Sequence, residues 1–184
     1  MSSSYEKFEE SLKNILNDEV ITRFKGNKLE ICETNSGATG KCVEISNMTN
    51  SIALELDRDN RHIYFLKDTT KINDHTIFYY KDEKLKILLI ELKSRKLRCA
   101  KDQLLLGKAY ADFIINILKT KNVIIKDIEF RAFIFSVDRR SARKQTTKKS
   151  VGLKVDWVEN GIYAKTLANN KAYNLCELVK PIIQ

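Results

Sequence analysis

Apolar residues Phe8, Leu12, Ile15 and Leu16 recur at the i, i+4, i+7, i+8 spacing of one helical face. Ser3, with Glu6 three residues later, opens that helix as a capping box. Gly26 interrupts the next segment. Residues 27–60 hold only short apolar runs, such as Leu29-Glu30-Ile31 and Cys42-Val43-Glu44-Ile45, among Asn, Ser, Gly and Thr; they predict short strands or loops. From His62 onward the pattern sharpens. His62–Lys67 and His75–Tyr80 are rich in aromatic and β-branched residues and predict two strands. Lys81-Asp82-Glu83-Lys84 is a polar turn, and Leu85–Lys93 a third strand. Its centre, Ile87-Leu88-Leu89-Ile90, is apolar on both faces, as a central buried strand requires.

Leu97 to Lys119 predicts a long helix with Leu106, Ala109, Tyr110, Phe113, Ile114, Ile117 and Leu118 as its apolar stripe and Asn122 as its stop. Ile128–Val137 predicts a further strand, with Phe130, Ala132, Ile134 and Ser136 alternating against Arg131, Phe133 and Phe135. The tail predicts a last strand near Gly161–Ala164 and a short helix within Ala172–Val179. Neither a repeat nor an inter-domain linker is visible. The expectation is an α/β fold spanning residues 1–184 as a single domain, with a central mixed sheet flanked by helices.

The length of 184 residues and a hydrophobic share of 43% allow a real core. No run of about 18 apolar residues is present to form a membrane-spanning helix, and no secretory signal is visible at the start, so no membrane partner is expected. With 33 basic against 24 acidic residues the net charge is +9, which favours a polyanionic partner, nucleic acid first and an anionic membrane surface second. The cysteines at 32, 42, 99 and 176 are too scattered for a CxxC pair. They read as four reduced thiols in a cytoplasmic protein. Two histidines, His62 and His75, exclude a multi-histidine metal site, and no GxSxG elbow supports a serine triad.

Glu91-Leu92-Lys93 ends the most hydrophobic strand, where a charged pair is costly unless it is used or satisfied. Glu91 and Lys93 project from one strand face, ~6.6 Å apart along it. A second match, Asp82-Glu83-Lys84, lies in the polar turn, where charges are solvated. If that turn closes an antiparallel hairpin, partner numbers sum to about 165 or 166, and Asp74 falls opposite Glu91 or Leu92. Two carboxylates and an ammonium then meet at the hairpin end far from the turn. Mg²⁺ typically uses one or two carboxylates plus phosphate oxygens. Lys93 would orient a water or stabilise developing charge. The bland alternative is a buried salt bridge.

Asp74 followed by Glu91-Leu92-Lys93 and a helix resembles the core motif of the PD-(D/E)xK nuclease superfamily. The resemblance covers roughly residues 62–137 and implies a restriction-endonuclease-like core of helix, three strands, helix and strand. Asn73 stands where the motif has proline. The resemblance further implies that Gln103, in Asp102-Gln103-Leu104, faces the site, and that an acid of the first helix joins the metal. Glu9 ranks first for that place, ahead of Glu6 and Glu10, because it borders the apolar face. The implied activity is a Mg²⁺- (or Mn²⁺-) dependent endonuclease acting on DNA in restriction, antiphage defence or repair. An RNA endonuclease, or an inactive nucleic-acid-binding or protein-interaction module of the same fold, are the alternatives.

Two basic clusters stand out besides. Arg95, Lys96 and Arg98, with Lys93 and Lys101, run from the site into the helix start, where cations oppose the macrodipole and a polyanion would relieve them. Arg139, Arg140, Arg143, Lys144, Lys148 and Lys149 come after the strand beginning at Ile128, with no intervening acid. Both are expected to contact nucleic-acid phosphates. A homodimer is expected on economy, since double-strand cutting by a one-site domain needs two copies. Trp157 and His75 read as structural.

Overall fold

The computed structural model describes residues 3–32, 42–56, 72–93, 100–136 and 152–183. The chain opens with helix α1 (Ser4–Lys13), started by the expected capping box: the Glu6 N–H donates to the Ser3 hydroxyl and the Ser3 N–H donates to the Glu6 carboxylate. Strands β1 (Ile21–Thr22), β2 (Lys28–Cys32), β3 (Cys42–Ser46) and β4 (Ser51–Leu54) come next, then the long hairpin of β5 (His75–Lys81) and β6 (Lys84–Lys93). Helix α2 (Ala100–Thr120) leads to β7 (Asp127–Ser136). After these come β8 (Leu153–Lys154), β9 (Trp157–Glu159), β10 (Ile162–Ala168), β11 (Ala172–Asn174), the one-turn helix α3 (Leu175–Leu178) and β12 (Ile182–Ile183).

Among the described residues the main sheet has seven strands in the order β1-β4-β5-β6-β7-β10-β9. β4, β5 and β6 form an antiparallel meander. β7 runs parallel to β6, and β10 parallel to β7. The α2 crossover makes the parallel β6–β7 pairing possible, since parallel neighbours need a long connection. The fold is therefore α/β with a mixed sheet, as the periodicity predicts. Two details differ. The strand beside β5 is β4, from the stretch read only as short strands or loops; the strand expected at His62–Lys67 lies outside the described residues. In the tail, β11 takes the first residues of the expected helix, leaving only α3.

The two faces of β6 build two cores. Leu85, Ile87 and Leu89 face Phe8 and Leu12 of α1 and Leu104, Ile114, Ile115 and Leu118 of α2. Leu88, Ile90 and Leu92 face the other way, where the cover is not a long helix. It is a small sheet of β11-β3-β2, through Leu29, Ile31, Val43 and Ile45, together with α3. Arg131 of β7 is fully buried beneath this cover. It pairs with Glu129 and donates to the carbonyls of Leu178 (2.6 Å) and Lys180 (2.7 Å), while Lys86 donates to the Val179 carbonyl (2.6 Å). Two cations thus satisfy the carbonyls that end α3 and pin the chain's tail.

The face of α2 is rotated from expectation. Its buried residues are Ala100, Gln103, Leu104, Gly107, Ala111, Ile114, Ile115 and Leu118, while Phe113 is 64% exposed. Gln103 and Gly107 carry no hydrophobic signal, so the apolar pattern pointed toward Leu106, Ala109 and Phe113 instead. The reading of four reduced thiols is also corrected. Cys32 and Cys42 are joined in a disulfide, because β2–β3 pairing sets them directly opposite with Cα atoms 4.2 Å apart. Cys176 is free, and Cys99 lies outside the described residues.

The β5–β6 register depends on a two-residue turn in which Asp82 (φ 53°) and Glu83 (φ 60°) are both left-handed. This is the backbone of the hairpin turn that favours Asn-Gly. Holding non-glycine residues there costs on the order of 1 kcal/mol each. Asp82→Asn with Glu83→Gly is expected to raise unfolding stability by about 1 kcal/mol. The variant also gives up the Glu83–Lys126 ion pair, which solvent screening at the surface keeps weak. Urea denaturation of the double variant checks this; a loss of stability would mean that the turn is not strained.

Candidate active site

The hairpin partners run from Lys81 opposite Lys84 to His75 opposite Ile90. Continuing that register by one step brings Asp74 opposite Glu91. Asp74 sits just before the ladder begins, and its Oδ2 accepts the Leu92 backbone N–H at 2.6 Å. Glu91 shares the α2-facing side of β6 with Ile87 and Leu89, and it is 1% exposed. Lys93, two residues on, forms an ion pair with Glu91 Oε1 and donates to Gln103 Oε1. The Gln103 amide in turn donates to the Ile72 carbonyl at 3.2 Å. Asp74, Glu91, Lys93 and Gln103 therefore gather where the β5–β6 hairpin ends and α2 begins.

Each member is held by backbone or packing. Asn73, fully buried, donates through Nδ2 to the His75 carbonyl (2.6 Å) and the Thr76 hydroxyl (3.1 Å). Its amide presses on α2 at Gly107, where an added Cβ would stand 1.7 Å from Asn73 Oδ1 and 2.8 Å from its Cγ. Asn73, immediately before Asp74, is thus anchored to the start of β5 by hydrogen bonds and to α2 by contact with a glycine. Sequence reasoning missed the pair. The signal that was present is a glycine at mid-helix, which costs about 1 kcal/mol relative to alanine and so asks for a packing reason.

The electrostatics centre on Glu91. Burial pushes its carboxyl up to about 8, the charge of Asp74 adds to the rise, and the Lys93 ammonium pulls against both. Its Oε2 is buried with no hydrogen-bond partner in the protein. A hard divalent cation fits this donor set: it takes oxygen ligands, and would satisfy the orphaned Oε2 and offset the repulsion between two adjacent carboxylates. Lys93 is only 18% exposed and spends two of its three donors on Glu91 and Gln103.

The remaining predicted residues divide. Glu9 is elsewhere: it pairs with Lys13 (2.6 Å), its charge acts on the Tyr5 phenol, and it lines a cleft with Ser51 and Ile52 near the edge strand β1. Among the described residues no third Asp, Glu, His or Cys joins Asp74 and Glu91 within ligand reach. The structure thus does not bring the first-helix acid to the site. Glu6 is the capping-box partner of Ser3. Arg95, Lys96, Arg98, Arg139, Arg140, Arg143, Lys144, Lys148 and Lys149 lie outside the described residues. Lys101 is engaged with Glu159 at 2.6 Å. His75 pairs with Ile90 and is buried, which pushes its pKa down to about 4, and Trp157 packs half-buried against the α2-side core.

Gly107→Ala is expected to destabilise the protein by about 1–3 kcal/mol through overpacking against Asn73, although alanine is the better helix former. Thermal or urea unfolding reads the sign, and a stabilised variant would show that Asn73 yields freely. A second expectation concerns pH. The folded-state pKa of Glu91 lies above its unfolded value, so the folded protein binds more protons and loses stability as pH rises through about 8. His75, depressed to about 4, contributes an opposite slope, but that slope ends near its ordinary value of about 6.5. Between pH ~6.5 and ~8.5, in the presence of a chelator, wild type is expected to lose stability relative to Glu91→Gln. Parallel stability curves for the two proteins would refute the raised pKa.

Comparison of the chain with protein-family models, with curated proteins and with solved structures finds no match, so the reading of the site rests on its own residues and geometry.

Proposed function

We propose that this protein is a metal-dependent endonuclease that hydrolyses phosphodiester bonds in DNA, in restriction, antiphage defence or repair. One observation carries the reading: Asp74, Glu91, Lys93 and Gln103 meet at one hairpin end, with Glu91 Oε2 buried and unpartnered. An unsatisfied buried carboxylate oxygen costs about 1–3 kcal/mol, and a cation bound there would relieve that cost. The order of α1, the β4–β5–β6 meander, α2 and β7 further supports the resemblance to the PD-(D/E)xK superfamily.

Asp74 and Glu91 would hold Mg²⁺ or Mn²⁺. Bound there, such an ion supplies polarisation of the phosphoryl oxygens and a water of lowered pKa. The protein's own groups do the rest. Lys93 has one N–H left after binding Glu91 and Gln103, and offers it to a phosphate oxygen or to the attacking water. Its ammonium stabilises the charge that grows on the phosphoryl group as the water's oxygen bonds to phosphorus and the ester oxygen leaves. Gln103 is a positioning residue: tied to the Ile72 carbonyl through its amide, it accepts from Lys93 through Oε1 and orients the ammonium beside Glu91. The basic clusters around Arg95 and Arg139 would hold the DNA backbone, and a homodimer would cut both strands. The expected compartment is the cytoplasm, where such a substrate is met.

The test is cleavage of DNA and RNA panels by the purified protein with Mg²⁺, Mn²⁺ or chelator. Asp74→Ala, Glu91→Ala and Lys93→Ala are each expected to lower the rate by ~10²–10³ or more, by analogy with deleted oxyanion-hole donors. Gln103→Ala is expected to lose less and to shift the pH profile of the rate, because it acts through Lys93. Cleavage by Glu91→Ala at the wild-type rate would remove the proposed mechanism, and preference for RNA would reassign the substrate.

A further inference from the structure

The outer face of the small sheet carries a second set of metal-binding atoms, unlike the Asp74–Glu91 cluster in chemistry. On β2, the residues Lys28, Glu30 and Cys32 point to solvent while Leu29 and Ile31 point into the core. On β3, Cys42, Glu44 and Ser46 share the solvent side while Val43 and Ile45 are buried. Strand pairing sets Cys32 opposite Cys42 and Glu30 opposite Glu44. Glu30 Oε1 stands 3.8 Å from Cys32 Sγ, and one ligand atom each from Glu30, Cys32 and Cys42 lies within 4.8 Å of the other two. No other group of three such residues is this close among the described residues.

We propose that reduction of the Cys32–Cys42 disulfide converts this face into a binding site for a thiophilic divalent cation, Zn²⁺ in the first instance, with Cys32, Cys42 and Glu30 as ligands and water as the fourth. The donor set matches the ion: two soft thiolates and one hard carboxylate suit borderline Zn²⁺, which takes sulfur and oxygen ligands and is satisfied by four in tetrahedral array. It differs from the all-oxygen set at Asp74 and Glu91, which suits a hard cation. The scaffold already brings the ligands together. Cys42 is tied on its far side to the tail, its N–H donating to Asn170 Oδ1 (3.2 Å) and its carbonyl accepting the Asn170 N–H (2.9 Å). β2 and β3 are also joined by backbone pairing along the whole strand, from Lys28 opposite Ser46 to Cys32 opposite Cys42, so the sulfur–sulfur bond is not their only link. Lys25 holds Glu30 at 3.0 Å in the oxidised form and would be displaced by the stronger divalent charge.

Atoms and electrons balance in both directions. A dithiol reductant gives two electrons and two protons to the S–S bond and is itself oxidised to a disulfide, leaving Cys32 and Cys42 as thiols. Zn²⁺ then replaces two thiol protons, which are released to solvent. In reverse, a small-molecule disulfide oxidant takes the two electrons from the two thiolates and, with two protons from solvent, is reduced to two thiols; the Cys32–Cys42 bond re-forms and Zn²⁺ is released. The state of the face is thus set by the thiol–disulfide poise of the surroundings.

The experiment compares the full-length protein in two states. One sample is air-oxidised. The other is reduced with a phosphine, which takes up the oxygen of one water as two thiols form, and is then freed of reductant under inert gas. Zn²⁺ is titrated into each against a chromogenic chelator, and Co²⁺ into parallel samples to read the thiolate-to-metal absorption band. The expected result is one additional Zn²⁺ per chain in the reduced state, with that band present. Any Zn²⁺ at the Asp74–Glu91 site counts equally in both states and drops out of the difference.

Cys32→Ser and Cys42→Ser are each expected to abolish the difference, and Glu30→Gln to weaken the extra site by about tenfold or more, the loss typical of removing even an outer partner of a metal ligand. The Cys99→Ser/Cys176→Ser double variant is expected to keep it. Circular dichroism of each variant establishes that it is folded, and Glu30→Gln, which touches no sulfur, serves if a cysteine variant is not. No additional Zn²⁺ on reduction, an unchanged difference in Cys32→Ser or Glu30→Gln, or its loss in the Cys99→Ser/Cys176→Ser variant would overturn the proposal. Endonuclease activity is not among the readouts, so its absence leaves this test intact.

Discussion

The register of the β5–β6 hairpin is the constraint on which the rest depends. Side chains alternate faces with a period of two, so a slip of one residue would send Leu85, Ile87 and Leu89 to the wrong core and Glu91 away from α2. Both cores enforce the observed pairing, because β6 is apolar on each face and is covered on each. The same register that buries the leucines carries Glu91 into a dry position and sets Asp74 beside it. Packing and candidate chemistry are one consequence of a single alignment.

Burial is also the source of the site's electrostatic character. In water, Glu91 and Lys93 would form an ordinary ion pair of small worth. At the end of the central strand the carboxyl is shielded, faces a second carboxylate, and is driven toward its neutral form. The Lys93 ammonium partly compensates, yet Glu91 Oε2 remains without a partner. A cation placed between the two carboxylates would offset their repulsion and favour the ionised form of Glu91. The close contact between Asn73 and Gly107 ties the residues before β5 to the first half of α2.

The two layers that cover the main sheet are unlike each other. On the side of Glu91, α1 and α2 bring a helical cover, and the first turn of α2 supplies Gln103. On the opposite side, a three-stranded sheet and α3 close the core, and Arg131 and Lys86 bind the carbonyls at its end. The disulfide sits on the outer surface of that second cover, so the small sheet's inner face serves packing while its outer face carries sulfur and carboxylate chemistry.

Strong periodicity made several elements legible along the chain alone: the capped first helix, the hairpin with its turn at Lys81–Lys84, the long helix and the strand after it. The nucleus of the site was legible too, because a charged pair in an otherwise apolar strand is visible without coordinates, and antiparallel numbering carries Asp74 to Glu91. Questions of partner and face were settled by packing instead. The strand beside β5 proved to be Ser51–Leu54, whose four residues are too few to show a period. The buried side of α2 runs through Gln103 and Gly107, which hydrophobicity cannot rank, because one is buried for a hydrogen bond and the other for lack of a side chain. Cys32 and Cys42 meet only because β2 and β3 pair, which ten residues of separation do not announce. Glu9 borders an apolar stripe as expected, yet where a stripe docks is set by the surface it meets, and α1 docks with Phe8 stacked on Tyr80, at the turn end of the hairpin.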